Sequence, residues 1–441
     1  MELIDALCSN VGSGSPVELT LTSVFRRTYS TMYKAIDELQ WEDRQLAQVL
    51  ASYLPKPKKR NFYLLGIDVT PQPRPYARTL TDRGMVYQPT VVKGNKPVTI
   101  GHQYSTAALL PEGEAGLSGS WLAPLMTQRV ATAADKELVG AGQIAALLSD
   151  DTLPFHLWLC VEVADSSYSK PKYLAANRSQ RNLITIARLR SNRVLYRQPV
   201  AQMTEGKRGH PTWYGEPFRL QDATTWPPPD QRCTLHEVSR RGKSYRVEVQ
   251  AWHNLLMRGQ QRPKPLPMHR HPFTLVRIVR HDDKDQPVSE DALWLIVIGE
   301  RRHELRLDEI QQAYGQRFDL EHFFRFGKQK LLLTSFQTAE TQREQHWWQL
   351  VHIAYAQLWV ARHVANLLPR PWERNLPAMR NHSISPTLVQ RDFARIIRQL
   401  GTPAKPPKLR GNSPGRPLGT KLKPRSRHKV VVKGLLKAAS P

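Results

Sequence analysis

Cysteine is scarce in this sequence, and its three residues, Cys8, Cys160 and Cys233, lie far apart. Such a set makes no disulfide framework and is typical of proteins in a reducing compartment. Long hydrophobic runs are also missing, because the best candidate, residues 292–299, is far shorter than the ~18 apolar residues that a membrane span needs. We therefore expect no membrane partner.

Acidic residues are few relative to basic ones. The chain of 441 residues has 38 Asp and Glu against 64 Lys and Arg, which gives a formal net charge of +26. Such an excess favours nucleic acid or another polyanion as the partner, without specifying which. The N-terminus lacks the basic start and apolar stretch of a signal peptide, so we expect a cytoplasmic protein.

One aspartate lies inside an apolar run. Asp68 belongs to residues 61–70, whose apolar character predicts a buried central strand. Burying a carboxylate is unfavourable unless a cation or hydrogen bonds compensate, which favours a metal ligand. The alternative is a strand-ending aspartate that caps the turn into Pro71–Pro73, and this run alone does not decide between the two.

A second aspartate follows another apolar run. Residues 155–164 predict a strand, and Asp165 comes directly after it, followed by two serines and Tyr168. Asp165 is a candidate metal ligand at the end of this strand. The alternative is an ordinary turn in which Asp165 or Ser166 caps a helix that begins near Tyr168.

The segment from Tyr314 to Lys328 places four polar side chains at helical spacing. Arg317 comes one turn after Tyr314, Glu321 one turn later and Lys328 two turns beyond that, which predicts one helix face with a phenol, two cations and a carboxylate. A carboxylate can hold a metal and cations can hold phosphates. The alternative is an amphipathic helix in which Arg317 and Glu321 form an ion pair.

The spacing Y-(2)-R-(3)-E-(6)-K of these four residues resembles the signature of bacterial insertion-sequence transposases of the DDE class. The catalytic domain of that family has an RNase H-like fold, with one acid inside a strand and a second just after another strand. Asp68 and Asp165 match these positions in the family's order. The resemblance covers roughly residues 60–365 and implies an α/β fold: an RNase H-like mixed sheet flanked by helices.

This resemblance also implies a site. Asp68, Asp165 and Glu321 would hold two Mg²⁺ or Mn²⁺ ions, for which carboxylate oxygens are suitable ligands. Such a pair of ions activates the attacking oxygen and stabilises charge on the leaving oxygen. Tyr314, Arg317 and Lys328 would contact DNA. The implied partners are transposon ends and target DNA, bound by a homodimer because two ends must be joined, in association with the bacterial nucleoid.

Composition and patterning divide the chain into five segments. Some family members carry a β-rich insertion between the second Asp and the Glu, and a Pro- and Trp-rich stretch lies there in this sequence. The predicted segments are an N-terminal helical region (1–55), the first half of the catalytic domain (60–198), a β-rich insertion (199–290), the second half of the catalytic domain (291–385) and a basic flexible tail (400–441). The N-terminal region either contacts DNA or serves as a packing extension.

Several shorter patterns predict individual elements. Alternation over residues 85–110 predicts two antiparallel strands joined by a turn at 94–95, and residues 134–148 predict a helix. Residues 245–252 and 273–280 alternate like half-exposed strands with basic outward faces. Apolar positions at helical spacing in residues 345–362 predict a long helix that packs against the sheet.

The predicted insertion suggests two further sites. Trp213, Trp226 and Trp252 lie in a basic context that suits stacking with an unpaired base, but each is also a reasonable core residue. A cysteine and three histidines, Cys233, His236, His269 and His271, suggest zinc, although their spacing is unlike that of structural zinc sites.

The sequence leaves three candidate functions. The first is a transposase that cuts transposon ends and transfers the strands into target DNA. The second is a nuclease or resolvase of the same fold without strand transfer. The third is a DNA-binding protein derived from an inactive transposase, against which the presence of Asp68, Asp165, Glu321 and Lys328 argues.

Overall fold

A computed structural model describes residues 1–88, 97–113, 121–199, 213–239, 242–259, 266–367, 384–400 and 417–433. The α-helices are α1 (Glu2–Cys8), α2 (Tyr29–Asp37), α3 (Gln45–Leu50), α4 (Lys136–Ser149), α5 (Pro171–Ala176), α6 (Leu307–Gln316), α7 (Phe318–Lys330), α8 (Thr341–Leu367) and α9 (Pro386–Leu400). The strands are β1 (Tyr63–Pro73), β2 (Gly84–Tyr87), β3 (Val98–Leu109), β4 (Ala123–Val130), β5 (Cys160–Ala164), β6 (Leu183–Leu189), β7 (Val194–Tyr196), β8 (Pro217–Arg219), β9 (Gln231–Val238), β10 (Ser244–Leu255), β11 (Phe273–His281) and β12 (Leu293–Ile298).

The chain forms two compact units. The first unit comprises residues 1–55, 69–136 and 318–441, and the second comprises residues 56–68 and 137–317. The boundary falls within strand β1, so its residues up to Asp68 belong to the second unit and its residues from Val69 onward belong to the first. The architecture is α/β, with a mixed sheet and flanking helices of the RNase H-like class.

The sheet of the second unit has the strand order β1-β5-β6-β12-β11-β10-β9. Strands β1, β5 and β6 are parallel, and every pairing from β6 to β9 is antiparallel. All five residues of β5 are buried, as expected for a central parallel strand covered on both faces. Strands β9 to β11, from the predicted insertion, therefore extend this sheet.

The first unit combines the second half of β1 with strands β2, β3 and β4. Gly101 of β3 lies against the neighbouring backbone so closely that a Cβ atom there would be 2.1 Å from the Gln72 oxygen. Helix α8 packs onto these strands, and Trp348 stacks on Tyr104 with ring centroids 4.0 Å apart. This long helix forms much of the unit's core because Trp347, Trp348 and Trp359 are fully buried.

A buried polar cluster also joins α8 to the strands of the first unit. The Glu344 carboxylate is 2.6 Å from His102 Nδ1, accepts a hydrogen bond from the Tyr104 hydroxyl at 3.0 Å and lies 3.5 Å from Arg74. The remaining Arg74 donors reach backbone oxygens of Phe336 and Thr338. Each charge in this cluster has an opposite charge or a hydrogen-bond partner, as burial requires.

Residues 417–433, within the predicted flexible tail, pack against other segments of the first unit. The backbone N–H groups of His428 and Val431 donate hydrogen bonds to the oxygens of Arg78 and Arg83, at 2.9 and 2.8 Å. Residue 431 also forms a parallel bridge with Gly84 of β2. These contacts are backbone-mediated, so a prediction based on basic composition does not detect them.

Most predicted elements agree with the structure. Helices α4 and α8 and strands β1, β2, β3, β10 and β11 lie where the patterns place them. The predicted turn at residues 94–95 lies outside the described residues. The predicted strand at 155–164 is shorter than expected, because residues 154–156 form a 3₁₀ turn and β5 begins at Cys160.

Candidate active site

Asp68 lies in the middle of strand β1. The strand continues to Pro73, so the alternative in which Asp68 ends a strand and caps a turn is wrong. The parallel register of β1 and β5 ends in the pair Gly66 and Val163. Two residues further along, Asp68 is still within β1 and Asp165 comes just after the end of β5, so the register extended by two residues brings the two acids level.

Asp165 follows the last residue of β5 and caps a 3₁₀ turn at Ser166–Ser169. Its Oδ1 atom accepts hydrogen bonds from the Ser167 backbone N–H at 2.8 Å and from the Ser167 hydroxyl at 2.6 Å. Both bonds use the same oxygen, and Oδ2 makes no hydrogen bond among the described residues. The capping role predicted as the alternative is therefore real, but it leaves one carboxylate oxygen available.

A buried phenol lies beside both acids. Tyr168 is fully buried, and its hydroxyl has no hydrogen-bond partner in the described part of the chain. Burial raises the pKa of this phenol well above its usual value, and the neighbouring carboxylates of Asp68 and Asp165 raise it further. Two carboxylates and an unsatisfied polar atom thus converge at one edge of the sheet.

The segment of residues 314–328 forms two helices, so the prediction of one continuous helix is wrong. Helix α6 ends at Gln316 and α7 begins at Phe318. The Arg317 N–H bonds to the Tyr314 oxygen, three residues back, instead of continuing the four-residue pattern. Gly315 in the last turn of α6 favours this break because glycine is a poor helix former.

Two signature residues belong to the second unit with the aspartates. The Arg317 guanidinium lies 3.6 Å from the Asp68 carboxylate, and its carbon is 5.9 Å from the Tyr314 ring centre. Tyr314 is only 5% exposed. Burial raises the pKa of its phenol, whereas the charges of Arg317 and Arg188 lower this pKa and the charge of Asp165 raises it.

Arg188 was not identified from the sequence. Strands β5 and β6 pair in parallel up to Ala164 and Ala187, so the next residues, Asp165 and Arg188, are level. Arg188 is exposed, whereas its strand neighbours Ala187 and Leu189 are buried. A single outward-facing arginine in an apolar strand gives no signal by itself, because only the register reveals its position beside the acids.

The other two signature residues lie in the first unit. Glu321 is exposed in the first turn of α7, and Lys328 is half-buried in its last turn. The Lys328 ammonium donates a 2.7 Å hydrogen bond to the Thr70 hydroxyl, on the half of β1 that belongs to this unit. Lys328 is therefore positioned by the strand that carries the first aspartate.

Divalent metal ions are the cofactors that this chemistry would need. Among the described residues, no group of three or more His, Cys, Asp or Glu side chains is arranged to hold a metal ion. The donor chemistry at the sheet edge nevertheless fits a hard cation, because Asp68 and Asp165 offer carboxylate oxygens. Cys233 and the histidines suggested as zinc ligands likewise form no such group in the described ranges.

The tryptophans suggested for base stacking differ in their surroundings. Trp252 is 3% exposed and packs against Trp294 and Phe218, so it is a core residue. Trp226 joins the same aromatic cluster, with Arg277 over its ring at 5.4 Å. Trp213 is 48% exposed and stacks on His269.

No helix in the described ranges is long and apolar enough to cross a membrane. No curated protein is significantly similar to the chain. A family model described as DDE superfamily endonuclease matches residues 1–264, which include Asp68 and Asp165 and end before Tyr314. Endonucleases of this kind act on DNA and generally use divalent metal ions. Since the match covers more than half of the sequence, the chain belongs to the DDE superfamily endonucleases.

Proposed function

We propose that this protein is a DDE transposase of the insertion-sequence type, which cuts the ends of its element and transfers the strands into target DNA. The observation that carries the proposal is the register that brings Asp68 level with Asp165 at one edge of the parallel strands. The Y-(2)-R-(3)-E-(6)-K spacing in residues 314–328, beyond the matched region, supports transposition rather than general DNA cleavage.

Asp68, Asp165 and Glu321 are the proposed metal-binding and catalytic residues. When bound, two divalent ions would lower the pKa of a water or a 3′-hydroxyl and stabilise charge on the leaving oxygen. The Asp165 carboxylate is oriented by its two hydrogen bonds from Ser167, which keep Oδ2 directed away from the turn. Arg317 offsets the negative charge of Asp68 when no ion is present.

The proposed DNA contacts come from the signature cations. Arg317 and Lys328 are cations beside the strand that bears Asp68, and such groups hold phosphate oxygens well. Tyr314 is too buried to reach a phosphate directly, so we assign it to support the Arg317 guanidinium. The net charge of +26 supplies long-range attraction for DNA, which makes binding sensitive to salt.

A cleavage assay tests the proposed catalytic residues. The protein is incubated with Mg²⁺ or Mn²⁺ and labelled DNA that carries the sequences flanking its own coding region. Asp68→Asn, Asp165→Asn and Glu321→Gln should each bind this DNA like the wild type and reduce cleavage to background. Wild-type cleavage by any one of these variants would remove that residue from the site.

Asp222→Asn is a matched control for Asp165→Asn. Asp222 caps a 3₁₀ turn in the same way, since its Oδ1 accepts hydrogen bonds from the backbone N–H and the hydroxyl of Thr224. The two substitutions therefore remove the same negative charge and keep an acceptor oxygen for the same capping interactions. Only Asp165→Asn should abolish cleavage, and equal loss in both would indicate a folding effect.

The products separate transposition from its two alternatives. A transposase should join the cut end covalently to unrelated target DNA, and the joining should require two ends held by a homodimer. Nicked DNA without joined product would favour a nuclease or resolvase. Binding without any cleavage would favour an inactive, transposase-derived DNA-binding protein.

A further inference from the structure

An open cavity of about 100 Å³ lies in the second unit, away from the aspartates. It is lined by residues near the start of β6 and the end of β12, including Leu183 and Ile298. Because β5 and β6 are parallel and Asp165 follows the end of β5, the cavity lies at the opposite edge of these strands. It is therefore separate from the candidate active site.

Three arginines give the cavity a positive charge. Arg178, Arg270 and Arg302 all line it, and the exposed Glu300 is the acid among the lining residues. No carboxylate pairs with any of these arginines among the described residues. Instead, Arg178 donates to the Arg270 backbone oxygen at 3.0 Å, and Arg302 donates to the Asn254 side chain at 2.8 Å. These neutral acceptors leave the positive charges without compensation.

Two buried nitrogen atoms in the cavity wall also have no partner. Arg302 Nε and His271 Nδ1 are shielded from solvent and make no hydrogen bond within the described ranges. Leaving a buried donor unsatisfied is unfavourable, and burial also lowers the pKa of the Arg302 guanidinium. An anion in the cavity would supply the negative charge that the three arginines lack in the described residues.

We propose that this cavity binds a phosphate group. The planar guanidinium presents several N–H donors in a fixed geometry that matches the oxygens of phosphate, and three guanidinium groups line one cavity here. The phosphate can come from the DNA backbone or from a free phosphate or nucleotide. A DNA source makes this edge of the sheet a second DNA contact.

The test measures binding without metal ions, so it does not depend on cleavage. The first variant is Arg270→Ala, because this side chain makes no hydrogen bond or ion pair in the described residues. The second is Arg302→Lys, which keeps the positive charge but removes the planar set of guanidinium N–H donors. Arg301→Ala is the matched control, because Arg301 is the next residue but pairs with Glu304 instead. Thermal unfolding confirms that each variant is folded.

One arm uses a labelled duplex of arbitrary sequence between 50 and 200 mM salt. If the cavity holds a backbone phosphate, Arg270→Ala and Arg302→Lys should bind about tenfold more weakly than the control. The plot of log K against log salt should then become shallower by roughly one unit for Arg270→Ala.

The other arm titrates inorganic phosphate and thymidine monophosphate by calorimetry. If the source is a free phosphate, these ligands should bind the wild type and the control but not the two cavity variants, while DNA binding stays unchanged. The proposal is overturned if the cavity variants match Arg301→Ala with every probe. That result would leave the proposed catalytic residues unaffected, because they lie at the opposite edge of the strands.

Discussion

The Arg317 Nη1 atom lies 3.6 Å from the Asp68 Oδ2 atom, and both side chains are largely buried, with 11% and 19% of their surfaces exposed. Arg317 lies between helices α6 and α7, and Asp68 lies in the middle of strand β1, about 250 residues earlier in the chain. The distance is longer than that of a close bidentate pair. Arg317 therefore offsets part of the charge of Asp68.

The Arg317–Asp68 pair predicts an effect of metal ions on stability. Arg317→Ala removes a cation that lies 3.6 Å from the Asp68 carboxylate, so the free energy of unfolding should fall by about 1–3 kcal/mol. A divalent ion at Asp68 would replace the lost charge, so Mg²⁺ should raise the melting temperature of Arg317→Ala more than that of the wild type. Thermal unfolding with Mg²⁺ and with a chelator measures this difference.

The double variant Arg317→Ala with Asp68→Asn provides the control. Removing both charges should recover much of the lost stability and abolish the extra Mg²⁺ effect, since the double variant lacks the Asp68 carboxylate on which that effect depends. An equal Mg²⁺ effect in the wild type and Arg317→Ala would contradict the assignment of this pair to a metal site.

Much of the fold follows from local patterns. Strands β1 and β6 are apolar runs, and helices α4 and α8 have apolar positions at helical spacing, so each is visible in a short window of sequence. The break at Arg317 was missed because the polar spacing continues through it. Helices α6 and α7 are separated only by Arg317, whose backbone N–H bonds to the oxygen three residues back instead of four.

The site was predicted less completely than the fold, for a physical reason. Asp68 was found because an acid inside an apolar run is unfavourable unless compensated, and Asp165 because its position after a strand matches the family's order. Arg188 is a solvent-facing cation, which needs no compensation and so gives no such signal. Its position beside Asp165 depends on the strand register, which is a long-range property.

Arg188 predicts a contribution to DNA cleavage. A cation level with Asp165 is placed to contact a phosphate near the aspartates, so Arg188→Ala should slow cleavage on the order of tenfold or more. Arg190→Ala, an exposed arginine two residues further along, is the control and should behave like the wild type. Initial cleavage rates at saturating DNA separate a rate effect from weaker binding. Equal rates for both variants would exclude this contribution.

Lys328 and Thr70 predict separable roles. The hydrogen bond between them positions the lysine, so Thr70→Val should lower cleavage modestly by loosening Lys328. Lys328→Ala also removes the phosphate-binding charge, and cleavage should then fall at least about tenfold further. Lys328→Arg should restore part of the activity. If Thr70→Val and Lys328→Ala have the same effect, Lys328 acts only through this hydrogen bond.

Glu162 predicts a loss of stability as pH rises. It is fully buried in β5 and accepts hydrogen bonds from Tyr173, Asn177 and Thr185. Burial raises its pKa to about 7 from the ordinary 4.5, although the bonds from Tyr173 and Thr185 lower it. The folded state thus holds a proton that the unfolded state releases, so the contribution of Glu162 to stability is greatest below pH 4.5 and is lost as pH rises through about 7.

The isosteric variant Glu162→Gln measures this effect. Glutamine stays neutral, so the variant should be more stable than the wild type near pH 8 by up to roughly 3 kcal/mol and similar to it near pH 4.5. Urea unfolding at the two pH values gives the difference. A stability difference that does not change with pH would show that Glu162 does not change protonation in this range.

His352 predicts the opposite dependence in the first unit. This fully buried side chain lies 2.8 Å from the Trp348 oxygen through Nδ1 and 3.0 Å from the Thr106 hydroxyl through Nε2. Those contacts suit a neutral ring that donates from Nδ1 and accepts at Nε2. Burial lowers the pKa of His352 to about 4, although the bond to Trp348 raises it.

The direction of the resulting pH dependence follows from proton binding. As pH falls from 6.5 towards 4, the unfolded histidine gains a proton that the folded one does not, so stability present above pH 6.5 is progressively lost. His352→Gln cannot take up this proton. The variant should be less stable than the wild type at pH 8 because the packing changes. The further loss of stability between pH 7 and pH 4 should be smaller than in the wild type by roughly 3 kcal/mol.

Urea unfolding of His352→Gln, alone and combined with Glu162→Gln, measures this difference. The double variant lacks the opposing contribution of Glu162, so its pH dependence reports the contribution of His352 separately. An acid-induced loss that is unchanged by His352→Gln in both backgrounds would show that His352 is not its source.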